Sequence, residues 1–118
     1  MALKPIHDAY SIDFLNIATY QAVSGTGKEA VEELRSQTYD DTSSSKVYPK
    51  HIAFNVIPQC DVFLENGFTK EEWNLYGNKE ILDLKIDVQA TCARVPVFNG
   101  HSEAVFIKLT NDASREDI

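Results

Sequence analysis

The residue with the clearest chemical potential is an arginine at the end of the chain's strongest strand pattern. Alternate positions from Leu84 to Cys92 are apolar or small, and the same two-residue period continues to Arg94. A guanidinium on the core side of a strand needs an anionic partner, because an unpaired buried charge is strongly destabilising. The partner is either a carboxylate of this chain, such as Glu103 or Asp61, or an anionic ligand held by the guanidinium fork.

A histidine lies seven residues further on, in the segment Gly100-His101-Ser102. We place this segment in the turn before the last strand, where the glycine lets another backbone approach closely. An imidazole in such a place is a candidate general acid or base near neutral pH. The alternative is an ordinary histidine of a surface turn.

A glycine-containing loop, Ser24-Gly25-Thr26-Gly27-Lys28, is followed by Glu29 and Ala30. A phosphate-binding P-loop needs Ser or Thr after the lysine, so this is not one. Gly25, Gly27 and Ala30 do match a relaxed dinucleotide fingerprint. However, the acidic residues about 20 positions later fall in a polar loop, not at the end of a second strand. The pattern is compatible with amides that touch a ligand, and it excludes a complete nucleotide-binding domain.

The two cysteines, Cys60 and Cys92, show no C-x-x-C spacing and predict no metal site. Cys92 belongs to the apolar face of its strand, and no basic residue adjoins Cys60. A buried thiol has a raised pKa and is unreactive, so we interpret both as packing residues.

The elements that position these residues alternate between helix and strand without repeats. Thr69 and Glu72 form a predicted capping box, and residues 37–46 form a predicted polar loop. Predicted helices cover Ala2–Tyr10, a segment containing Ala30, Val31 and Leu34, and Thr69 to about Leu82; predicted strands cover Ser11–Tyr20, Leu84–Cys92 and Ala104–Leu109.

Size and charge restrict the class of protein. The 118 residues suffice for one domain, and the 43% of hydrophobic residues is typical of a globular chain. A net charge of -7 argues against nucleic-acid or membrane partners, which need a basic patch. The first residues have no secretory signal, so we expect a cytoplasmic protein. Both ends have incomplete capping patterns, and we expect a piece of something longer.

Four blocks of this sequence together resemble the aspartate-semialdehyde dehydrogenases: Thr19–Gly27, Ile52–Pro58, Asn66–Glu72 and Ala90–Val105. The match runs in order from about Ala2 to about Ile107. The resemblance implies an α+β fold, with a mixed β-sheet and helices mainly on one face. It also implies that residues 1–118 are part of the catalytic and dimerisation domain, without the nucleotide-binding domain and the C-terminal segment.

The resemblance implies an activity and a set of site residues. The family carries out NADP-dependent reductive dephosphorylation of L-aspartyl 4-phosphate to aspartate semialdehyde, in lysine, threonine and methionine biosynthesis, through a thioester on a cysteine. Gln21 resembles the glutamine that orients the acyl group, Arg94 the arginine that binds the substrate carboxylate, and His101 the acid/base histidine. Ser24 and Gly25 resemble loop residues near the nicotinamide of NADP.

Two departures from the family pattern bear on activity. The nucleophile's Asn-Cys-Ser/Thr motif is absent, so we expect the chain alone to be inactive and to bind NADP weakly. The helix after Glu72 is one residue short. Lys79 therefore stands for the phosphate-binding lysine, while Gly77 or Asn78 replaces the substrate-binding glutamate.

Two other functions are compatible with the sequence. The family dimerises through this domain, so the chain is expected to form a homodimer and could serve as a dimerisation or interaction module. It could equally be one half of a split enzyme without catalysis of its own.

Overall fold

The computed structural model describes residues 2–77 and 85–118. Within these ranges the helices and strands are α1 Leu3–Tyr10, β1 Ile12–Gln21, α2 Lys28–Tyr39, α3 Lys70–Gly77, β2 Asp87–Arg94 and β3 His101–Leu109. Short 3-10 turns cover Val23–Thr26 and Arg115–Asp117. None of the described helices is long and apolar enough to span a lipid bilayer.

The predicted helix over Ala2–Tyr10 and the capping box are confirmed. The amide of Glu72 donates to Thr69 Oγ1 at 3.3 Å, and the Thr69 amide donates to Glu72 Oε2 at 2.8 Å. The predicted helix that starts at Thr69 extends to about Leu82, and its residues 78–82 lie outside the described part of the chain. Leu84, the first residue of the next predicted strand, also lies outside it.

Two predicted boundaries were wrong. Residues 37–39, assigned to a polar loop, form the last turn of α2, because Gln37 points inward and is fully buried. The last strand begins at His101 and not at Ala104. The polar residues at its start were not predicted as strand, because β3 is exposed along most of its length and does not alternate between buried and exposed residues there.

The three strands form one mixed sheet in the order β2-β1-β3. β1 is central; it runs parallel to β2 and antiparallel to β3. A parallel pair brings two strand ends to the same edge, whereas an antiparallel pair brings an end beside a beginning. The end of β1 therefore lies between the end of β2 and the start of β3.

The two faces of the sheet are covered unequally. Along β1, Leu15, Ile17 and Thr19 are buried, whereas Phe14 and Asn16 on the opposite face are only partly covered. The helix α3 touches the buried face, since Glu71 Oε1 accepts a hydrogen bond at 3.1 Å from Nε2 of Gln21, whose side chain lies on that face. These contacts confirm the predicted α+β fold, with a mixed sheet and helices mainly on one face.

Two apolar clusters form the core. One joins α2 to the segment around residues 48–57 and contains Val23, Ala30, Leu34, Tyr48, Ile52, Ala53 and Ile57. The other lies under the sheet and α1 and contains Ile12, Leu15, Ile86 and Val88, with Leu3, Ile107 and Leu109 against it. The second cluster fixes the sheet, and the first supports the loops at its edge.

Two buried polar side chains of α2 bind the backbone of residues 46–53, a segment without helix or strand, to the helix. The Glu33 carboxylate accepts hydrogen bonds from the amides of Lys46, Val47 and Tyr48. Gln37 Oε1 accepts from the amides of Ile52 and Ala53, at 2.9 and 3.2 Å. Buried backbone amides need hydrogen-bond acceptors. The Glu33 and Gln37 side chains accept the hydrogen bonds that a neighbouring strand would otherwise accept.

Removing the Glu33 carboxylate should destabilise the domain. In Glu33→Ala, three amides lose a charged acceptor, and we expect the free energy of unfolding to fall by about 3 kcal/mol. Urea denaturation followed by circular dichroism measures the change.

The matched control for this variant is Glu32→Ala. Glu32 is exposed and forms only a surface ion pair with Arg35 at 3.3 Å, so its loss should cost less than about 0.5 kcal/mol. Equal effects of the two substitutions would contradict a structural role for Glu33.

Candidate functional site

A pocket of about 380 Å3 lies at the edge of the sheet where β1 ends. Its lining residues come from all three strands, from α3 and from two loops: Gln21, Gly25, Thr26, Cys60, Asp61, Glu71, Arg94 and His101. The pocket thus brings together three of the residues that the sequence singled out from separate segments, Gln21, Arg94 and His101.

These three residues lie on one rung across the sheet. Gln21 at the end of β1 is paired with Arg94 of β2 on one side and with His101 of β3 on the other. Residues paired across neighbouring strands project from the same face. The strand register alone therefore places an amide, a guanidinium and an imidazole beside one another.

The Arg94 side chain is 7% exposed. Its contacts among the described residues differ from the ion pair with a carboxylate of this chain that was one predicted alternative. Nη1 donates to the carbonyl of Ala22 at 2.7 Å, and Nε is buried without a hydrogen-bond partner among the described residues. Among the described residues, no carboxylate lies within ion-pair distance of the guanidinium. The predicted alternative of an ion pair with Glu103 or Asp61 was therefore wrong. Glu103 is exposed on β3, and Asp61 lines the pocket without reaching Arg94.

His101 is the first residue of β3, not a turn residue as predicted. Its Nδ1 accepts a hydrogen bond from the Ala22 amide at 3.1 Å. A neutral imidazole that accepts at Nδ1 carries its proton on Nε2. Nε2 faces the loop at Gly25, so His101 presents a single N–H donor to the pocket.

The side-chain amide of Gln21 is anchored on one side. Its Nε2 donates to Thr19 Oγ1 at 3.2 Å and to Glu71 Oε1 at 3.1 Å. A carboxylate only accepts, so Glu71 determines which end of the amide is nitrogen. Both amide hydrogens are used, and Oε1 accepts no hydrogen bond from the described residues.

The loop at residues 95–98 supports this arrangement from outside. The Val95 amide donates to the Gln21 carbonyl at 3.0 Å, and the amides of Val23 and Ser24 donate to the carbonyls of Val97 and Phe98. Ser24 therefore lies beside the pocket with its amide already paired, and it is not among the pocket-lining residues. Lys79 lies outside the described residues.

Gly25 adjoins both functional groups. A Cβ at this position would lie 3.6 Å from His101 Nε2 and 3.7 Å from Arg94 Nη1. The missing side chain therefore leaves the space in front of these groups to a bound molecule. The Tyr48 ring lies near Arg94, with 6.0 Å between the guanidinium carbon and the ring centroid, and the Tyr48 hydroxyl donates to Thr26 Oγ1 at 3.0 Å.

Sequence reasoning missed the acidic residues of the pocket. The sequence predicts no role for Glu71, which lies inside the Thr69–Glu72 capping box, and it predicts Asp61 only as a candidate partner of Arg94. The hydrogen bond between Glu71 and Gln21 joins residues 50 positions apart, so no local sequence pattern predicts it. The same holds for the Ala22 backbone, which binds Arg94 and His101 at once.

The thiols contribute to the packing around the pocket. Cys60 and Cys92 are free and buried, and burial raises the pKa of both; that of Cys60 rises to about 11. At neutral pH both are therefore neutral thiols. Among the described residues no group of three or more metal-ligating side chains converges.

A larger hollow of about 700 Å3 lies between α2 and residues 43–47. Its one buried carboxylate, Glu33, is occupied by backbone amides, and its other charged groups are exposed lysines and glutamates. Volume alone does not make a site, and the smaller pocket holds the Arg94 guanidinium, whose buried Nε has no hydrogen-bond partner among the described residues.

The chain is similar to several aspartate-semialdehyde dehydrogenases. Aspartate-semialdehyde dehydrogenase of Shewanella violacea is 50% identical over 124 residues, covering 100% of this chain and 37% of the relative. The enzyme of the same name from Bacillus subtilis is 44% identical, covering 99% of this chain and 38% of the relative. This chain thus spans little more than a third of the length of the curated relatives it matches.

A solved structure is also similar. The crystal structure of aspartate semialdehyde dehydrogenase II from Vibrio cholerae, complexed with ASA, superposes with a TM-score of 0.92 at 43% identity and covers 98% of this chain and 36% of that one. The family described as semialdehyde dehydrogenase, dimerisation domain, matches residues 3–118. This chain belongs to the semialdehyde dehydrogenase dimerisation-domain family, as its four sequence blocks predicted.

Proposed function

We propose that this chain supplies the substrate pocket of an aspartate-semialdehyde dehydrogenase. The whole protein would reduce L-aspartyl 4-phosphate to aspartate semialdehyde and release phosphate, in the biosynthesis of lysine, threonine and methionine. The observation that carries the proposal is the buried Arg94 guanidinium, whose Nε has no partner among the described residues and which shares a pocket with His101. A buried cation without a protein anion is suited to an anionic ligand.

Gln21, Arg94 and His101, which are paired across the sheet, have different proposed roles. Arg94 binds the α-carboxylate, held in place by its Nη1 bond to Ala22. His101 gives and receives a proton at Nε2, because its Nδ1 is occupied by the Ala22 amide. Gln21 orients the acyl group, with its own amide fixed by Thr19 and Glu71. Lys79 would bind phosphate, as the family resemblance implies.

NADP is the proposed cofactor of the whole protein, and it supplies or accepts the hydride when bound. Its nicotinamide end would contact Ser24 and Gly25, and Gly25 lies beside His101 and Arg94. The described residues form no complete dinucleotide-binding fold, so we do not expect the chain alone to bind NADP tightly. We propose the cytoplasm as its compartment, which agrees with two unpaired cysteines.

The chain alone is not expected to complete this reaction. A thioester needs a thiolate, but Cys60 is a neutral buried thiol and neither cysteine follows an asparagine. Catalysis therefore requires a nucleophile from other parts of the protein.

A second function, self-association, is supported by the partly covered sheet face. On this face Tyr20 is 42% exposed and Phe106 is 65% exposed, and Phe14 meets the Phe106 ring edge-on at 6.4 Å. Exposed apolar surface of this kind marks interfaces. We propose that two copies pair through this face to form a homodimer.

The substrate role of Arg94 predicts a selective kinetic defect. In a protein that joins residues 1–118 to the remaining two thirds of the Shewanella violacea relative, Arg94→Lys keeps the charge but loses the bidentate fork. We expect KM for aspartate semialdehyde to rise about 10- to 100-fold, with KM for NADP unchanged. NADPH formation with semialdehyde and phosphate measures both constants.

Two controls accompany this assay. Arg35→Lys makes the same substitution at an exposed arginine and should leave KM unaltered. The 118-residue chain by itself should form no NADPH. An unchanged semialdehyde KM in Arg94→Lys would remove Arg94 from the substrate site.

The raised pKa of Cys60 predicts a pH-dependent loss of stability. The thiol stays neutral in the folded state up to about pH 11 but ionises near pH 9 when unfolded. Stability is therefore fully present below pH 9 and falls as the pH rises towards 11. Urea unfolding at pH 8, 9, 10 and 11 should show this decline, and Cys60→Ala should reduce it. An equal decline in Cys60→Ala would assign the effect to other groups.

Pairing through the exposed sheet face predicts a change of mass. Light scattering should give the 118-residue chain twice its 13.3 kDa mass, and Phe106→Lys should give a monomer. Val105→Lys is the matched control, because Val105 neighbours Phe106 but projects from the opposite face. A dimer that survives Phe106→Lys, or a monomeric wild type, would contradict this interface.

A further inference from the structure

The Arg94 guanidinium has few contacts that fix its orientation. Its one hydrogen bond to the described residues runs from Nη1 to the Ala22 carbonyl, at 2.7 Å. A single bond of this kind fixes one nitrogen, but the plane of the guanidinium can still turn about it. Because the guanidinium fork binds a carboxylate in its own plane, that plane needs a second contact. The Tyr48 ring supplies it, since its centroid lies 6.0 Å from Arg94 Cζ and an aromatic face attracts a guanidinium.

Tyr48 is itself fixed in the core. It is 9% exposed and belongs to the apolar cluster that joins α2 to residues 48–57. Its backbone amide donates to Glu33 Oε1 of α2 at 3.2 Å. Because both the ring and the backbone are held, the ring offers Arg94 an aromatic face at a constant place.

The Tyr48 hydroxyl connects this cluster to the loop beside the pocket. It donates to Thr26 Oγ1 at 3.0 Å. Burial raises the pKa of the Tyr48 hydroxyl, so the group stays protonated and able to donate at neutral pH. In the described part of the chain, no other side-chain hydrogen bond reaches residues 24–27. The bond between the two hydroxyls is therefore the side-chain contact that holds this loop against the core.

The loop lies close to the groups that face the ligand. Thr26 and Gly25 both line the pocket. A Cβ on Gly25 would lie 3.6 Å from His101 Nε2 and 3.7 Å from Arg94 Nη1. A small displacement of the loop would therefore change the space in front of both groups.

We propose that Tyr48 is a positioning residue of the substrate pocket: its ring orients Arg94, and its hydroxyl holds the loop of Gly25 and Thr26. Tyr48 is not among the pocket-lining residues, so it acts through these neighbours and not by touching the ligand. The inference rests on the proposed function, in which Arg94 binds the carboxylate and the loop contacts the nicotinamide. The ring therefore affects binding of the semialdehyde, and the hydroxyl affects binding of NADP.

The contact between the ring and the guanidinium is tested by NMR in the 118-residue chain. The chain has three arginines, Arg35, Arg94 and Arg115, so the Nε–H signal that disappears in Arg94→Lys belongs to Arg94. This signal should shift in Tyr48→Leu and stay close to its wild-type position in Tyr48→Phe, because phenylalanine keeps the ring. The signal of Arg115 is the internal control and should not move. An Arg94 signal that stays in place in Tyr48→Leu would overturn the proposed role of the ring.

The effect on the reaction is measured in the joined protein described above for Arg94→Lys. Tyr48→Phe removes only the hydroxyl, so KM for NADP should rise about 5-fold while KM for aspartate semialdehyde stays within about two-fold. Thr26→Val should give the same rise, and the double variant should rise no further, because each substitution removes the same bond. Tyr48→Leu should also raise the semialdehyde KM about 5-fold.

The matched control is Tyr39→Phe, the same substitution at a tyrosine that is 86% exposed, and it should change neither KM. A purely structural role of Tyr48 would reduce the amount of active enzyme and leave both KM values unchanged, which would overturn the inference. Additive effects of Tyr48→Phe and Thr26→Val would do the same. Tyr48→Phe keeps the packing of the cluster, so these results decide even if Tyr48→Leu does not fold. If wild type forms no NADPH, the proposed function fails, and the NMR result decides the contact between Tyr48 and Arg94 by itself.

Discussion

The site depends on the direction of two strand pairings. β1 has a parallel neighbour on one side and an antiparallel neighbour on the other, so its last residue, Gln21, adjoins the end of β2 and the start of β3. That register puts Arg94 and His101 on either side of Gln21, on one face. A shift of one residue in either pairing would turn one of these side chains to the opposite face.

The residue that follows the rung holds its functional groups in place. Ala22 is fully buried; its carbonyl accepts from Arg94 and its amide donates to His101. One peptide segment thereby orients the guanidinium and selects the tautomer of the imidazole. Because these are backbone groups, they satisfy the two side chains without adding a charge, and the guanidinium keeps its capacity for an external anion.

Local sequence patterns predicted the parts of the structure that depend on local physics. The two-residue period of β2 placed Arg94 on the buried side, because alternation assigns a face without reference to other strands. The Thr69–Glu72 box predicted the start of α3, since it links residues three apart. Boundaries were missed at Gln37 and His101, where tertiary contacts decide whether a polar residue continues the element.

In the amino-acid sequence alone, the strand period and the turn pattern indicated the residues with chemical potential, because such patterns are properties of neighbouring residues. The fold class and the family were implied by the resemblance of four ordered blocks to the aspartate-semialdehyde dehydrogenases. The tertiary structure decided what those residues face. Only folding showed that Arg94 bonds to a carbonyl and not to a carboxylate, and that Glu71 meets Gln21 across 50 residues. Such contacts depend on strand order and loop paths, which no local spacing encodes.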